Sequence, residues 1–514
     1  MVTERSLGDV LGTVPVAGVH PEVNWVRVEI EAPHLIPALR ALMAHGWVFA
    51  GIVVEEDGER APWRLTYLLG ADRAPWVGVE IWVHEDALAS VSSVLFAADW
   101  QEREAEDLYG IEFRGHPFPG DFALHEGSFP AFAPMRRSIS PAPPPRPRPA
   151  PRIVDAPGGF TLPVGPVFSG VQESVQFLLE TVGEEIIFAH VRLFYKFRAA
   201  EKTMEGRTPD DAILIAERVD GTAAFAHGLA FAQAVEALAR ARVPERARAL
   251  RVLFAELERI RSHVAALTAI LESTGLSVPA SLLATQVERL LEISGEFTGH
   301  RYLMGLMTPG GLRADLSDAD AGAVARRVRH GVEAVDEIYG RLTFDESFLD
   351  RLEAVGRVSP EEAATFGAVG PVARASNLSR DLRAAQPYSG YEGWRFDVPV
   401  EKEGDGYARW RVLMAEVHES ARLLEQVAGA LPPGPVRAGV PPTGGVALGF
   451  AEAPTGALVY WVRTDPAGQI TRCRIITPGL ANWHVFPTAV RSFAFQDLPI
   501  ILATFGLSVA DADR

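Results

Sequence analysis

A proline-rich segment at residues 140–152, SPAPPPRPRPAPR, sets the domain organisation of this 514-residue chain. Proline fixes its own backbone angle and lacks an N–H group, so such a run can form neither a helix nor a paired strand. It predicts an extended, semi-rigid spacer in the polyproline II conformation. We therefore expect a domain at residues 1–137, a linker at 138–157 and an independently folding domain at 158–514. A partner-recognition motif is the alternative interpretation of the segment.

The predicted fold class is α+β, and the first domain shows it on a small scale. Val26, Val28 and Ile30 alternate with charged residues, which is typical of a half-buried strand. Further strands are predicted at Trp47–Glu55, Trp63–Leu69 and Trp76–Val83, and a helix at His34–His45. A second helix is predicted from Asp86 to Leu95, with Asp86 as its cap. These elements indicate a small α+β domain on a mixed or antiparallel sheet.

The second domain is predicted to be larger and mainly α-helical, with a small β-sheet late in the chain. Arg246–Thr274 carries an apolar stripe at helical spacing, which predicts a long amphipathic helix. The polar side chains of that helix are Glu256, Glu258, Arg259, Arg261 and His263. Asp320 is the predicted cap of a later helix. From Pro442 to Arg474 the pattern changes to short strands separated by turns.

Composition excludes several classes of function. The formal net charge of -17 argues against a nucleic-acid partner, because phosphate contacts need a basic surface. The first residues have no apolar core of a signal peptide, and the apolar stretch Pro499–Ala510 is too short to span a bilayer. Cys473 is the one cysteine, and a single thiol cannot hold an iron–sulfur cluster or a cysteine-based nickel site.

Ionisable residues stand among apolar neighbours between Gly165 and Glu236. Such side chains are rarely buried unless they are paired or functional. The residues concerned are Glu173, Arg198, Glu201, Glu217, Arg218, Asp220 and His227. One interpretation is an arginine–carboxylate network that braces two helices. The other is a functional site.

The same segment resembles a known family through short motifs that occur in order. The motifs are Gly165-Pro166, Arg192-Leu193-Phe194-Tyr195, Glu217-Arg218-Val219 and Phe225-Ala226-His227. They are similar to the large subunit of [NiFe] hydrogenases of the formate-hydrogenlyase type and to the D subunit of NADH-quinone oxidoreductase, respiratory complex I. Trp100–Pro117 resembles the signature of the complex I C subunit. The resemblance therefore implies a fused C/D subunit.

The hydrogenase branch of the resemblance implies a nickel–iron site that this chain cannot form. That site takes four thiolates from two Cys-x-x-Cys pairs, because soft sulfur suits these metals. The corresponding positions are Asp220, Ala223, Ser508 and Asp511, and none is cysteine. We predict that the chain binds no metal. A hard-cation site from Asp220, Ser508 and Asp511 is a minor alternative.

The complex I branch implies a quinone site, and its donors also differ here. The resemblance places the quinone-binding histidine at Gln172 and the tyrosine at Gly221. A glutamine amide could still bond a carbonyl, but glycine offers no side-chain donor. Conventional quinone reduction is therefore disfavoured, and a quinone pocket of altered composition remains possible.

What the resemblance leaves is a candidate proton relay. Glu173 falls where the hydrogenase family carries a proton-relay glutamate, and Asp220 and His227 could continue the path. Arg198 and Glu201 are further candidates, for which a satisfied ion pair is the favoured alternative. We expect Glu173, Asp220 and His227 to surround one site. The tail Ser508–Arg514 should close it and place Asp511 opposite Asp220.

The combined prediction is a cofactor-free subunit of a membrane-associated, complex I-like or hydrogenase-related oxidoreductase. The resemblance is to energy-converting hydrogenase-related complexes, which lack the nickel cysteines. It implies as partners an iron–sulfur small subunit, a ferredoxin-like iron–sulfur subunit and antiporter-like membrane subunits. The expected location is cytoplasmic, on the inner face of the cell membrane through those partners. A quinone-reducing subunit and a non-catalytic scaffold are the alternatives.

Overall fold

The structure is a computed structural model of the chain. It describes residues 4–57, 61–70, 75–118, 122–125, 133–137, 157–168 and 173–514. All of the predicted linker except Pro157, and also Gln172, lie outside the described residues.

The N-terminal region is built on a five-stranded mixed sheet in the order β1-β2-β5-β4-β3. β2 and β5 pair in parallel, and the other neighbours are antiparallel. The elements are α1 Glu4–Leu11, β1 Gly18–Pro21, β2 Trp25–Glu29, α2 Leu35–Ala44, β3 Val48–Glu56, β4 Trp63–Gly70, β5 Trp76–Val83, β6 Ala87–Ala89, α3 Asp99–Tyr109 and β7 Glu112–Arg114. The predicted small α+β domain is therefore confirmed, with its three long strands within one residue of their predicted bounds.

The helix predicted from Asp86 to Leu95 is wrong. The segment instead contains strand β6, which pairs in parallel with β7. Asp86 accepts a hydrogen bond from the indole of Trp63 at 2.6 Å and caps no helix. Ser90 and Ser92 turn inward and donate to Glu102 at 2.5 and 2.6 Å. The apolar residues of this segment face the core from a strand and a turn. Their spacing in the sequence is the same as that of a helix, so spacing alone does not distinguish the two structures.

The C-terminal region is mainly helical and has two three-stranded sheets, in the orders β10-β9-β8 and β13-β14-β15. The strands are β8 Gly159–Val164, β9 Gln176–Val182, β10 Glu185–Arg192, β11 Met307–Thr308, β12 Gly311–Leu312, β13 Gly445–Ala453, β14 Gly456–Thr464 and β15 Ile470–Ile476. The helices are α4 Ala200–Met204, α5 Pro209–Ala216, α6 Ala224–Leu238, α7 Glu245–Ser273, α8 Ser277–Thr298, α9 Asp318–Leu342, α10 Glu346–Leu349, α11 Pro360–Phe366, α12 Gly370–Ala375, α13 Leu382–Ala385, α14 Gly406–Gly429, α15 Pro478–Val490, α16 Leu498–Phe505 and α17 Val509–Ala512.

Helix α7 lies at the centre of this region and is buried on its charged side as well as its apolar side. The prediction of a long helix is confirmed, but Glu256, Glu258 and Arg259 are at most 2% exposed. Helices α6, α8 and α14 pack around it. Its charged side chains therefore need partners inside the protein. The cap of α9 is Ser317, whose hydroxyl accepts from the N–H of Asp320, so Asp320 itself is not the cap.

Helix α6 lies directly on strand β13, and this contact positions the candidate site. A Cβ atom at Gly449 would lie 1.8 Å from the carbonyl oxygen of Ala230, so a larger residue would force the helix away from the strand. Gly449 thus permits a close helix–sheet approach. The N-terminal end of α6 is thereby held against the sheet β13–β15.

The N-terminal and C-terminal regions meet through a buried interface that contains ion pairs. Arg474 of β15 donates to Glu104 of α3 at 2.9 Å, and Arg514 also donates to Glu104 at 2.9 Å. Nearer the edge, Arg463 donates to Glu55 at 2.6 Å. Apolar side chains of both regions form common buried clusters. Where the structure describes the chain, no helix combines the length and the apolar character needed to cross a membrane.

Candidate functional site

The turn between α5 and α6 holds Asp220 in a fixed orientation. One oxygen of Asp220 accepts from the backbone N–H of Thr222 at 3.0 Å, and the other accepts from the Thr222 hydroxyl at 2.6 Å. This pattern is an Asx turn, in which a short carboxylate side chain bonds the backbone two residues on. Asp220 is 3% exposed, so its carboxylate faces the protein interior.

His227, one turn into α6, lies between a tyrosine and a carboxylate. Its Nδ1 is 2.8 Å from the hydroxyl of Tyr460 on β14, and its Nε2 is 3.4 Å from Oδ1 of Asp511. The other oxygen of Asp511 accepts from the N–H of Gly479 at 2.6 Å. A Cβ at Gly479 would lie 2.4 Å from that oxygen, so the close contact depends on glycine. The side chains of His227, Tyr460 and Asp511 are all buried.

The C-terminal segment closes the site from a third side. The hydroxyl of Ser508 accepts from the N–H of Asp511 and so begins the short helix α17. Glu173 accepts from two backbone N–H groups of the same helix, those of Val509 and Ala510. The structure therefore brings Asp220, His227 and Asp511 together in one buried site, and Glu173, an exposed residue, lies at the edge of this site against α17.

The electrostatics of this place favour protonated carboxyl groups. Burial raises the pKa of Asp220, and the neighbouring carboxylate of Asp511 raises it further, against two hydrogen bonds from Thr222. Burial also raises the pKa of Glu173, and the charge of Asp220 adds to that effect, against the two N–H groups of α17. Like charges in a water-poor space disfavour double ionisation. The site can therefore hold a proton at a higher pH than an exposed carboxyl group.

Arg198 holds the turn and the tail together. Its guanidinium donates to the backbone carbonyls of Arg218 at 2.8 Å and Val219 at 2.6 Å, and to that of Ala510 in α17. These contacts join the segment before Asp220 to the helix that carries Asp511. Arg198 therefore positions the site through the backbone.

Glu201 lies outside this place, in the interface between the two regions. It accepts from Arg472 at 3.1 Å, Arg474 at 3.2 Å and Arg514 at 3.3 Å. Burial alone would raise the pKa of Glu201, but the three guanidinium groups lower it. These contacts agree with the favoured alternative for Glu201, a satisfied ion pair instead of a relay group.

Glu258 of α7 is a member of the site that the sequence did not single out. Its two oxygens accept from the N–H groups of Phe225 and Ala226 at 2.7 and 2.9 Å, so it caps the N-terminal end of α6. Burial raises its pKa to about 7, although Arg261, the two N–H groups and His227 lower it. The only sequence signal is a Glu258–Arg261 pair one helical turn apart.

Two further carboxyl groups, those of Glu217 and Asp513, are buried. Glu217 stands out in the sequence among apolar neighbours, whereas Asp513 does not. Glu217 is fully buried and accepts from the N–H of Gly305 at 2.8 Å. Asp513 accepts from the N–H groups of Phe194 and Lys196 at 2.6 and 3.1 Å. Burial raises the pKa of Asp513 to about 6, against these two N–H groups. Both contacts join segments that are far apart in sequence.

Comparison with protein families agrees with this arrangement. The model of the respiratory-chain NADH dehydrogenase 49 kDa subunit matches residues 274–443 and 436–514, and that of the 30 kDa subunit matches residues 28–144. The nickel-dependent hydrogenase model matches residues 198–268. The chain is 31% identical over 358 residues to the D 2 subunit of the NADH-quinone oxidoreductase of Solibacter usitatus, covering 69% of this chain and 96% of that protein.

The chain belongs to the family of fused complex I C/D subunits. It is 27% identical to the C/D subunit of the NADH-quinone oxidoreductase of Acinetobacter baumannii strain AYE, over 87% of this chain and 84% of that one. It is also 29% identical to formate hydrogenlyase subunit 5 of Escherichia coli K12, over 91% of this chain and 85% of that one. This member of the fused C/D family is thus a complex I or hydrogenase-related component of a multi-subunit assembly.

The donor set of this fused C/D protein does not fit nickel. Ala223 has no donor atom, and the hydroxyl of Ser508 is occupied by helix α17. Cys473 lies buried on β15, where burial raises the pKa of its thiol well above the ordinary range. Within the described ranges, no three His, Cys, Asp or Glu side chains are arranged to hold a metal ion. The hard-cation alternative stays a prediction, because one of its three donors is the serine hydroxyl of Ser508, a residue type outside that set.

The quinone positions of the fused C/D family are only partly described. Gln172 lies outside the described residues. Gly221 is exposed, and no atom lies within 4 Å of the place where its Cβ would stand. The tyrosine position thus offers open space and backbone groups, without a side-chain donor.

Proposed function

We propose that this fused C/D protein is a cofactor-free, proton-exchanging subunit of a membrane-associated oxidoreductase. Electron transfer would take place in a partner iron–sulfur subunit, with a ferredoxin-like iron–sulfur subunit beside it. Antiporter-like membrane subunits would move the proton or ion. The assembly would lie on the cytoplasmic face of the cell membrane. The relatives, which are NADH-quinone oxidoreductase and formate hydrogenlyase subunits, support an assignment to this class.

The observation that carries the proposal is the carboxylate pair at the lost nickel positions. Asp220 and Asp511 stand where the resemblance to hydrogenases implies one cysteine of each Cys-x-x-Cys pair, and the charge of Asp511 adds to the burial that raises the pKa of Asp220. Asp511 also lies 3.4 Å from His227. A carboxylate pair beside an imidazole can accept and release one proton when charge changes nearby.

The residues divide into those that move the proton and those that hold them in place. Asp220, Asp511 and His227 exchange the proton, and Glu173 extends the path toward α17. Arg198, Thr222 and Gly479 position them through the contacts described above. In this scheme a proton taken up at the pair balances an electron that arrives on the partner cluster, and it leaves when the cluster is reoxidised.

The test is the pH dependence of the partner cluster's midpoint potential in the purified complex. A proton coupled to a one-electron step shifts that potential by up to about 59 mV per pH unit. We expect this slope near neutral pH in the wild type and its loss in Asp220→Asn, which keeps the shape and removes the titration. Electron paramagnetic resonance of the cluster during redox titration gives the measurement. Asp210→Asn, a substitution near the start of α5 and away from the site, is the matched control.

Three results separate the alternatives. An undiminished slope in an assembled Asp220→Asn complex would refute the relay. The quinone-reducing alternative would replace the relay if the complex reduced added ubiquinone-1 and lost this activity in Gly221→Trp, which fills the open space at Gly221. A potential independent of pH in the wild type, in a complex that needs the chain only to assemble, would favour a scaffold.

A further inference from the structure

A second group of charged side chains lies buried on the other side of α7, away from Asp220. It joins five elements or their flanking turns, and every member is at most 4% exposed. The group consists of Glu256, Arg259, His263, Arg374, Asp381, Arg383, Glu416 and Glu452. We call it the α7–β13 cluster.

Arginine side chains hold the carboxylates of the α7–β13 cluster together. Arg374 donates to Glu416 at 2.6 Å and to Glu452 at 2.9 Å. Arg383 donates to Asp381 at 2.7 Å and to both oxygens of Glu256 at 3.1 Å. Each of these two guanidinium groups therefore binds two carboxylates.

The charges of the cluster do not balance. Four carboxylates face three guanidinium groups, those of Arg259, Arg374 and Arg383. His263 lies 2.8 Å from Glu416, but burial lowers its pKa, and Arg259 and Arg374 lower it further against the pull of Glu416. The imidazole is thus neutral, and the buried members of the cluster have one carboxylate more than they have guanidinium groups. Arg380, which is partly buried, lines the same cavity as Glu452 and is a further cation of this region. An uncompensated charge in a water-poor interior is costly and is commonly removed by binding a proton.

Glu452 is the carboxylate with the weakest support. Glu256 receives hydrogen bonds from Arg383, Tyr391 and Ser420, and Glu416 receives them from Arg374 and His263.

Glu452 itself has one guanidinium contact and one N–H group, that of Leu382 at 3.0 Å. Burial raises its pKa to about 7, and the charge of Asp381 adds to this, against Arg374, Arg259 and the N–H of Leu382. The charged and titratable groups around Glu452 are Arg259, Arg374, Arg380, Asp381 and Tyr388.

A cavity connects Glu452 with the interface between the two regions. Its volume is about 50 Å³, several times the ~10–15 Å³ that one water molecule needs. Its lining includes Glu452, Asp381 and Arg380 of the C-terminal region and Trp76 and Gln101 of the N-terminal region. Two buried N–H groups of the cluster, Nε of Arg259 and Nη2 of Arg374, have no hydrogen-bond acceptor among the described residues. Buried polar groups of this kind are commonly satisfied by ordered water.

We propose that Glu452 is a second proton-binding site, which exchanges its proton with solvent through water in this cavity. On uptake, a hydronium ion that enters the cavity from solvent gives its proton to the Glu452 carboxylate and becomes a water molecule. On release the proton returns by the same water. This site is independent of Asp220, and it lies where the N-terminal and C-terminal regions meet.

Infrared difference spectroscopy of the full chain between acidic and alkaline pH tests the proposal. The wild type should show the carbonyl stretch of a protonated carboxyl group that titrates near pH 7. In Glu452→Gln the amplitude should fall by one carboxyl group, whereas Asp220→Asn should leave this component unchanged. Glu85→Gln, an exposed glutamate of the N-terminal region, is the matched control. Glu452→Gln removes the excess charge, so the variant is expected to fold.

The exchange route has its own measurement. Ala481 also lines the cavity and is not a member of the cluster, so Ala481→Leu fills the cavity without removing a charged group. When the protein is transferred to heavy water, deuteration should lower the frequency of the Glu452 carbonyl band. We expect the rate of this change to be at least tenfold lower in Ala481→Leu. The proposal would be overturned if the wild type showed no infrared component that depends on Glu452. It would also be overturned if this component exchanged with deuterium as fast in Ala481→Leu as in the wild type.

Discussion

Glu258 offers a direct test of the electrostatics of the candidate site. Burial raises its pKa from the ordinary 4.5 to about 7, and the nearby positive groups offset only part of that effect. At about 1.4 kcal/mol per pKa unit, keeping Glu258 ionised costs about 3 kcal/mol. The folded chain therefore binds this proton more tightly than the unfolded chain. The stability that the group contributes is complete below its unfolded pKa of about 4.5 and is lost as the pH rises through about 7.

The perturbation is Glu258→Gln, which keeps the shape and cannot ionise. Between about pH 5.5 and about pH 8 the wild type should lose about 2 kcal/mol that the variant does not lose. A chain of 514 residues has an unfolding entropy of about 1.1 kcal/mol per kelvin, from about 2.1 cal/mol/K per residue. The midpoint of thermal unfolding should therefore fall by about 2 °C more in the wild type than in Glu258→Gln.

The comparison of two pH values removes the constant cost of the substitution. Glutamine has one acceptor oxygen, so one of the two N–H groups of α6 loses its acceptor, and the cost of that loss to the variant is the same at both pH values. Glu272→Gln, at an exposed position of the same helix, should behave as the wild type. An equal fall of the midpoint in the wild type and in Glu258→Gln would show that Glu258 ionises normally, and the reasoning for the whole site would fail with it.

Three further predictions rest on other contacts. Elemental analysis of the purified complex should find no nickel held by this chain after a chelator wash, because the donor set lacks thiolates; stoichiometric nickel would contradict this. Limited proteolysis should cut between Ser138 and Pro157, and the two fragments should remain bound through the pairs of Glu104; separation of the fragments on a sizing column would contradict the interface. Gly479→Ala should destabilise the chain by about 1–3 kcal/mol in thermal or urea unfolding, because its methyl group would overlap the Asp511 carboxylate; an unchanged midpoint would place that carboxylate elsewhere.

Local patterns predicted the long strands and helices well. The apolar runs of β3, β4 and β5 and the apolar stripe of α7 belong to contiguous stretches whose neighbours in sequence share one environment. The helix prediction for the segment after Asp86 was wrong because a strand and the turn that follows it place the apolar residues at intervals that imitate helical spacing. Pairing with β7 decides its structure, and that pairing is not a local property.

The candidate site depended on the resemblance for its neighbours. No periodicity places Asp511 beside His227, because the two residues lie far apart in the sequence of the C-terminal region. The role of Glu258 was missed for the same reason. A charged residue on a long helix suggests a solvated face, and only the packing of α6 against α7 shows that it caps another helix. Contacts between distant segments fix burial, and burial fixes the protonation of the site.

The charged interface around Glu104 has a consequence for how the two regions are connected. Interfaces that bury ion pairs lose much of their attraction to desolvation, so their intrinsic affinity can be modest. A short covalent connection raises the effective concentration of one region near the other to the millimolar range. Even when the dissociation constant of the isolated regions is high, the two regions of one chain then stay bound to each other at any dilution of the protein. In the fused protein, the binding of Arg474 and Arg514 to α3 thus needs no strong pairwise affinity, and selection can keep polar contacts there that two separate proteins could not use.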